Sequence, residues 1–158
     1  MVIKMNNKLV NLLIEKNYHI SFCESCTGGL CASRIVEVPS ASKVLNESIV
    51  TYSNDAKMKY LSVKESTIEK YGVVSEEVTR EMVKGLYILT NSEVCVSISG
   101  IAGPTGGTKD KPVGMVCFGV KIKDDIYTFT NYFGELGRNV VREESVKYIF
   151  SKIIELLK

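Results

Sequence analysis

The chain has 158 residues, of which 45% are hydrophobic and 24% charged, and its formal net charge is +2. This length and composition are typical of one globular domain with a substantial core. No block of five or more basic residues occurs, which argues against nucleic acid as a partner. No apolar run approaches the roughly 20 residues that span a bilayer, and the N-terminal segment lacks an apolar signal core. We therefore expect a cytoplasmic protein that does not bind membranes.

The first part of the chain predicts helices that alternate with strands. β-Branched and aromatic residues indicate the strands, and serine or asparagine residues indicate the helix ends. In chain order we expect a helix that begins with Leu9, Leu12 and Leu13 and ends at Asn17, a strand over 19–24, a helix over 28–36, a break over 39–42, a strand over 48–52 and, after caps at 53–55, a helix over 56–61.

The second part continues the alternation and adds a hairpin. We expect a short helix over 65–70 stopped by Gly72, a helix opened by a capping box at Ser75 with Met82, Leu86 and Leu89 on its apolar face, a buried strand over 94–99, strands over 113–121 and 126–133 joined at 123–125, and a last helix whose core face is Val146, Ile149, Phe150, Ile153, Ile154 and Leu157. Together these elements predict a single-domain α/β fold, a layered α/β/α sandwich around a mixed sheet.

Residues 24–29 read ESCTGG and lie where a predicted strand meets a predicted helix. Backbone N–H groups at a helix start are unpaired and can stabilise a developing negative charge. Gly28 and Gly29 would let a substrate approach the backbone closely. Ser25 is therefore a candidate nucleophile. The alternative is an ordinary capped helix in which Ser25 or Thr27 only accepts backbone N–H groups.

Lys57 falls in the first turn of the helix predicted after the strand over 48–52. The positive end of the helix dipole disfavours its charge, and desolvation would lower its pKa further, so that the neutral amine could act as a base. The alternative is a solvated surface lysine. His19, the single histidine, lies early in its strand, which argues against a Ser-His-Asp triad. Lysine is the usual replacement as activator of a serine.

A glycine-rich loop, SGIAGPTGGT over 99–108, separates two predicted strands. Its N–H groups could cradle a phosphate. The residue order does not match a P-loop, the spacing does not match a dinucleotide fingerprint, and no helix follows. A loop of this length between core strands is more often functional than not, although an ordinary long turn remains the alternative.

The five cysteines show no disulfide framework, which indicates a reducing compartment. Cys23 and Cys26 form a C-x-x-C, which raises a dithiol redox site or a zinc site as alternatives. Strand alternation, however, places Cys23 and Phe22 on opposite faces and directs Cys23 inward. We therefore expect neither redox nor metal chemistry from this pair.

Four segments together carry a family resemblance: 24–29 (ESCTGG), 50–57 (VTYSNDAK), 71–77 (YGVVSEE) and 99–108 (SGIAGPTGGT), with KPVG following at 111–114. In this order they resemble the C-terminal-domain family of the competence/damage-inducible protein CinA, whose stand-alone members are nicotinamide-nucleotide amidohydrolases. The resemblance covers nearly the whole chain, which looks like the stand-alone form.

The resemblance implies hydrolysis of the carboxamide of nicotinamide mononucleotide to nicotinate mononucleotide and ammonia, without a metal or cofactor. It implies Ser25 as nucleophile, Lys57 as base and Tyr52 as the partner of Lys57. We expect ten residues to bind the oxyanion or the substrate: Thr27, Gly28, Gly29, Gly100, Ala102, Gly103, Thr105, Gly106, Arg138 and Arg142. The two arginines, one helical turn apart, are expected to bind phosphate or else to form a solvated helix face.

Two expectations concern partners, and two alternative functions stay open. The partner is a small-molecule pyridine nucleotide, and the chain forms a homo-oligomer, with a dimer as one form. A first alternative function is a non-catalytic nucleotide-binding or regulatory module related to competence or the DNA-damage response. A second is a thiol oxidoreductase built on Cys23 and Cys26. Release of ammonia from nicotinamide mononucleotide separates the amidohydrolase from both.

Overall fold

A computed structural model describes residues 2–158, and this part of the chain alternates helices with strands. The helices are α1 (Val2–Lys16), α2 (Leu30–Val36), α3 (Asn54–Leu61), α4 (Glu65–Tyr71), α5 (Glu76–Thr90) and α6 (Arg138–Leu156), and a 3₁₀ turn covers Ala41–Lys43. The strands are β1 (Ile20–Glu24), β2 (Leu45–Val50), β3 (Val94–Gly100), β4 (Met115–Ile122) and β5 (Asp125–Tyr132).

The five strands form one mixed sheet in the order β2-β1-β3-β4-β5. The central strand β1 runs parallel to both neighbours, and Glu24 pairs with Val50 on one side and Ile98 on the other. The pairs β3–β4 and β4–β5 are antiparallel, which confirms the predicted hairpin. Helices α1, α2 and α6 contribute to the core on one face, and α3, α4 and α5 to the core on the other. The predicted α/β/α sandwich is therefore confirmed.

Strand β1 is covered on both faces of the sheet, and all five of its residues are buried. Phe22 packs into the core beneath α6, where its ring centroid lies 6.2 Å from that of Phe150. Cys23 faces the other way and packs with Met82 of α5. The predicted division of these two neighbours between the faces is confirmed, as the two-residue period of a strand requires.

Two predicted helix caps are also confirmed. The hydroxyl of Ser53 accepts the N–H of Ala56 at 3.0 Å, and that of Ser75 accepts the N–H of Val78 at 3.3 Å. Each satisfies an N–H group that the first turn leaves unpaired. The first of these caps fixes where α3 begins, and so sets the position of the lysine that follows.

Several predicted boundaries were wrong, including the start of β4, which lies at Met115 and not at 113. Helix α2 begins at Leu30, because Gly28 and Gly29 take positive φ values of 59° and 96° and form a turn. Strand β2 spans Leu45–Val50, not 48–52: it is an edge strand with mostly exposed side chains, so apolar pattern does not reveal its start. Helix α1 begins at Val2, well before the leucines that indicated it.

One predicted core residue is also corrected. Leu89 is 51% exposed, whereas Met82 and Leu86 on the same helix are fully buried. Helical periodicity identifies the apolar side of α5 but not where the covering layer ends, and Leu89 lies in the last turn. Among residues 2–158 no helix has both the length and the apolar character needed to cross a bilayer.

Candidate active site

The candidate site lies where three parallel strands end. Strands β1, β2 and β3 finish at Glu24, Val50 and Gly100, so the segments that follow them meet at one edge of the sheet. The connection after β1 crosses one face through α2, and the connection after β2 crosses the other through α3 to α5. Such a divergence opens a crevice at the carboxyl edge, the usual ligand site of an open α/β sheet.

Ser25 is the first residue after β1, and only 8% of it is exposed. Its N–H donates to the carbonyl oxygen of Ile98 on β3 at 3.1 Å, which anchors the residue to the sheet. Its hydroxyl oxygen lies 3.1 Å from Nζ of Lys57. The candidate nucleophile and the candidate base are thus within hydrogen-bond reach.

Lys57 is fixed by backbone carbonyls and not by a carboxylate. Its Nζ lies 2.8 Å from the carbonyl oxygen of Thr51 and 3.5 Å from that of Tyr52. The residue is 1% exposed, and it forms no salt bridge with any acidic residue in the 2–158 range. It also occupies the first turn of α3, where the helix dipole disfavours a positive charge.

This environment lowers the pKa of Lys57 from its ordinary value, chiefly because burial removes the ammonium from water. Thiolates at Cys26 and Cys23 would oppose the shift. Burial, however, raises the pKa of Cys26 to about 12 and that of Cys23 well above its ordinary value. Both thiols therefore stay protonated near neutral pH, and the desolvation of Lys57 is left unopposed by them.

Three oxygens surround Nζ, and they can be matched by a neutral amine as well as by an ammonium. A neutral lysine has two N–H donors and one lone pair. When the carbonyls of Thr51 and Tyr52 accept the two N–H groups, the lone pair is left for the hydroxyl of Ser25, which then donates its proton. This is the arrangement that activation of a serine nucleophile requires.

Tyr52, the expected partner of Lys57, contacts its Nζ through the backbone carbonyl. The hydroxyl instead accepts a hydrogen bond from Nη2 of Arg138 at 2.8 Å. Nη1 of Arg138 donates to the carbonyl oxygen of Gly103, also at 2.8 Å. Arg138 therefore connects the segment after β2 to the glycine-rich loop.

Several backbone N–H groups at the start of α2 already donate to acceptors in the chain. Fewer of the predicted N–H groups are therefore left to bind an oxyanion. The buried carboxylate of Glu24 accepts the N–H groups of Cys31 at 2.9 Å and Ala32 at 3.3 Å. The N–H of Gly28 donates to the carbonyl of Ser25, and that of Leu30 donates within the same turn.

Three donors remain in this turn: the N–H groups of Cys26, Thr27 and Gly29, which have no oxygen acceptor among the described residues.

Arg142, the second expected phosphate ligand, donates hydrogen bonds to the chain itself. Its Nε donates to the carbonyl oxygen of Cys26 and its Nη2 to that of Thr27, both at 3.0 Å. Its Nη1 donates to Oδ1 of Asn139 at 3.1 Å. Three of its five N–H donors are engaged inside the chain, so Arg142 holds the turn that follows Ser25.

A cleft of about 260 Å³ opens above Ser25. The expected site residues that line it are Ser25, Tyr52, Gly100, Ala102, Gly103, Thr105, Gly106 and Arg138. Cys26, Val73, Val74 and Ile101 also line it and were not assigned a role from sequence. The signal was present in the segment 71–77 of the family resemblance, whose carbonyl at Val73 accepts the Ser99 hydroxyl at 2.9 Å.

The other predicted site residues do not line this cleft: Thr27, Gly28, Gly29, Lys57 and Arg142. Thr27 is fully buried, and Gly28 and Gly29 shape the turn through their positive φ angles. The hydroxyl oxygens of Thr27 and Thr51 are buried without a hydrogen-bond partner in residues 2–158. Thr27 is not among the residues that line the cleft.

The cysteines do not form a second centre. Cys23 packs with the α5 core and Cys26 with the core on the opposite face, and both are free thiols. A reactive dithiol requires a lowered pKa, and burial raises the pKa of both. Within the described part of the chain no group of three or more His, Cys, Asp or Glu residues is arranged to hold a metal ion.

The fold and site define an α/β protein with a buried Ser–Lys pair at the carboxyl edge of a mixed sheet. The family described as the CinA C-terminal domain matches residues 2–157, and the chain belongs to this family.

Curated relatives and solved structures share this similarity. A CinA-like protein of Fusobacterium nucleatum is 48% identical over 143 residues, which cover 90% of this chain and 34% of that protein. A CinA-like protein of Petrotoga mobilis is 43% identical over 95% of this chain and 37% of that protein. The chain thus spans about a third of the length of these relatives. The crystal structure of the competence/damage inducible protein CihA from Agrobacterium tumefaciens superposes with a TM-score of 0.96 at 30% identity and covers 99% of this chain and 96% of that one.

Proposed function

We propose that this protein hydrolyses the carboxamide of nicotinamide mononucleotide to nicotinate mononucleotide and ammonia. One observation carries the proposal: the hydroxyl of Ser25 lies 3.1 Å from the buried amine of Lys57, which has no carboxylate partner in residues 2–158. A serine activated by a neutral lysine is a nucleophile suited to acyl transfer from an amide. The family resemblance supplies the substrate.

In the first half of the reaction, Ser25 Oγ attacks the carboxamide carbon while Lys57 takes the hydroxyl proton. The carbonyl oxygen becomes an oxyanion, and the free N–H groups of the turn over 26–29 are the candidate donors. Removal of one such donor typically costs about 3–4 kcal/mol in the transition state. The C–N bond then breaks as Lys57, or Tyr52 as an alternative donor, gives a proton to the departing nitrogen. The products are ammonia and an acyl-enzyme on Ser25.

In the second half, water replaces ammonia. Lys57 removes a proton from the water that attacks the acyl carbon, and it returns this proton to Oγ as the ester bond breaks. One water is consumed, and a carboxylic acid leaves. The same amine thus acts as base and then as acid in both halves, which requires a pKa shifted toward the working pH.

The lining of the cleft, more than its size, supports a small nucleotide as substrate. Its volume of about 260 Å³ is just below the roughly 300–1,000 Å³ of typical small-molecule sites. Val73, Val74 and Ile101 give it an apolar side against which a pyridine ring could pack. Arg138 keeps donors beyond its two internal hydrogen bonds and is the candidate ligand for the phosphate.

The direct test is release of ammonia from nicotinamide mononucleotide by the purified protein. We expect turnover by the natural chain and loss of at least about a hundredfold in Ser25→Ala and Lys57→Ala, since a general base contributes about 10²–10⁴. Lys59→Ala is the matched control, because Lys59 is an exposed lysine on the same helix. Full activity in either site variant, or a natural chain that binds the nucleotide without releasing ammonia, would overturn the proposal. The second result would favour the non-catalytic module.

The thiol alternative is tested by replacing Cys23 and Cys26 with alanine together. The amidohydrolase retains ammonia release in this variant, because neither sulfur takes part in the chemistry. A cost of about 1–3 kcal/mol in stability is expected from two buried positions. Loss of activity in a variant that still folds would point to the cysteines instead.

A further inference from the structure

Arg142 reaches the turn after Ser25 from a distant part of the sequence. It lies on α6, and its Nε and Nη2 donate to the carbonyl oxygens of Cys26 and Thr27, which are 116 and 115 residues away. A guanidinium can donate to two neighbouring oxygens in a fixed geometry, whereas an ammonium acts as a point charge. The pairing therefore orients two consecutive peptide groups.

Because a peptide group is planar, the hydrogen bonds of Arg142 to carbonyl oxygens also fix the direction of the N–H groups in the same peptides. In a trans peptide the C=O of one residue and the N–H of the next point in opposite directions. Arg142 holds the carbonyl of Cys26 toward itself, so the N–H of Thr27 points away from it.

The next peptide group is held twice. Arg142 takes the carbonyl of Thr27, and the N–H of Gly28 closes the turn onto the carbonyl of Ser25. The peptide between Cys26 and Thr27 has no such second restraint in residues 2–158, and the N–H of Thr27 is free.

We propose that Arg142 is a positioning residue that orients and polarises the Thr27 N–H as a donor to the oxyanion formed on attack by Ser25. The inference rests on the proposed acyl-transfer function. The positive charge of Arg142 lies on the carbonyl side of the peptide between Cys26 and Thr27, which makes the Thr27 N–H on the other side a stronger donor. The role differs from that of a phosphate ligand, because the guanidinium acts through its hydrogen bonds to the backbone of the turn.

The test compares Arg142→Lys, Arg142→Ala and the matched control Arg80→Ala, which removes an exposed arginine of α5. We expect Arg142→Ala to lower kcat by about 10- to 100-fold with KM nearly unchanged, because part of one oxyanion donor is lost. The kcat of Arg142→Lys should lie between those of Arg142→Ala and the natural chain, and the kcat of Arg80→Ala should match that of the natural chain. Added guanidinium ion should restore at least part of the kcat of Arg142→Ala.

Two results overturn the proposal. A rise in KM with unchanged kcat would make Arg142 a substrate ligand. A loss of kcat that guanidinium does not restore, with a lowered unfolding temperature in both variants, would make its role merely structural.

A substrate-independent readout separates this inference from the proposed function. A fluorophosphonate forms a bond from Ser25 Oγ to phosphorus while fluoride leaves and Lys57 accepts the hydroxyl proton. We expect labelling of the natural chain, none of Ser25→Ala, and slowed labelling of Arg142→Ala that guanidinium accelerates. If the natural chain is labelled but releases no ammonia, the proposed substrate is wrong while the role of Arg142 is still measured. Labelling that is equally fast in Arg142→Ala overturns the inference.

Discussion

Nζ of Lys57 lies 3.1 Å from Oγ of Ser25, although the two residues are 32 positions apart and follow different strands. The contact exists because β1 and β2 are parallel neighbours, so that the residues after their last paired positions, Glu24 and Val50, meet at one edge. Two backbone carbonyls complete the surroundings of the amine. Two predictions depend on the charge state of this lysine.

The first concerns the pH dependence of activity. Burial lowers the pKa of Lys57, and only the neutral amine can accept the proton of Ser25. We therefore expect kcat/KM for ammonia release to rise with pH and to reach its plateau below 10.5, the ordinary value for lysine. The measurement is a pH–rate profile at constant ionic strength. If kcat/KM fell as the pH rises toward 10.5, the reaction would instead require the ammonium form of Lys57.

The second concerns stability. Because the folded-state pKa of Lys57 is lowered, the unfolded chain binds more protons between that pKa and 10.5, and folding becomes more favourable as pH rises through this window. Lys57→Met lacks this dependence. Its stability relative to the natural chain should be greatest near pH 7 and should decline toward pH 10.5, by about 1.4 kcal/mol for each unit of lowering.

Urea unfolding of both proteins at pH 7, 8, 9 and 10 measures this difference. Contributions from other groups, including the buried thiols, cancel in the comparison. A difference that stays constant with pH would mean that folding leaves the pKa of Lys57 unchanged.

The third tests the bridge between Tyr52 and Arg138. The two side chains share a 2.8 Å hydrogen bond at the rim of the cleft, so their effects on KM should not add. A double-mutant cycle of Tyr52→Phe and Arg138→Met should give a coupling of about 0.5–3 kcal/mol from KM. Tyr52→Phe combined with Arg80→Ala should be additive. Additivity in the first cycle would show that the bridge is not formed in solution.

The fourth concerns Gly85, through which α5 supports α3. A Cβ at Gly85 would lie 2.0 Å from the carbonyl oxygen of Leu61, the last residue of the helix that carries Lys57. Gly85→Ala must push the helices apart, with an expected cost of about 1–3 kcal/mol in stability. Ammonia release should fall as well, because α3 sets the position of Lys57. Lys84→Ala, an exposed neighbour on α5, serves as the control in urea unfolding and activity assays.

Much of the fold was predictable because its signals are local. Serine caps and apolar periodicity identified α3, α5 and α6. The edge strand β2 was misplaced because its side chains are mostly exposed, and Leu89 was misassigned because periodicity carries no information about the extent of the layer above it. The expected homo-oligomer and pyridine nucleotide partner stay predictions.

The residues of the site divide in the same way. Ser25 and Lys57 could each be located at a junction of strand and helix, since both junctions are marked by nearby glycines or caps. Their contact, the engagement of the Tyr52 hydroxyl by Arg138 and the turn held by Arg142 come from the order of the strands and the packing of α6 on the sheet. A guanidinium that ends on a carbonyl more than a hundred residues away leaves no mark in either local segment, because its geometry is set by how the layers stack and not by the residues beside it.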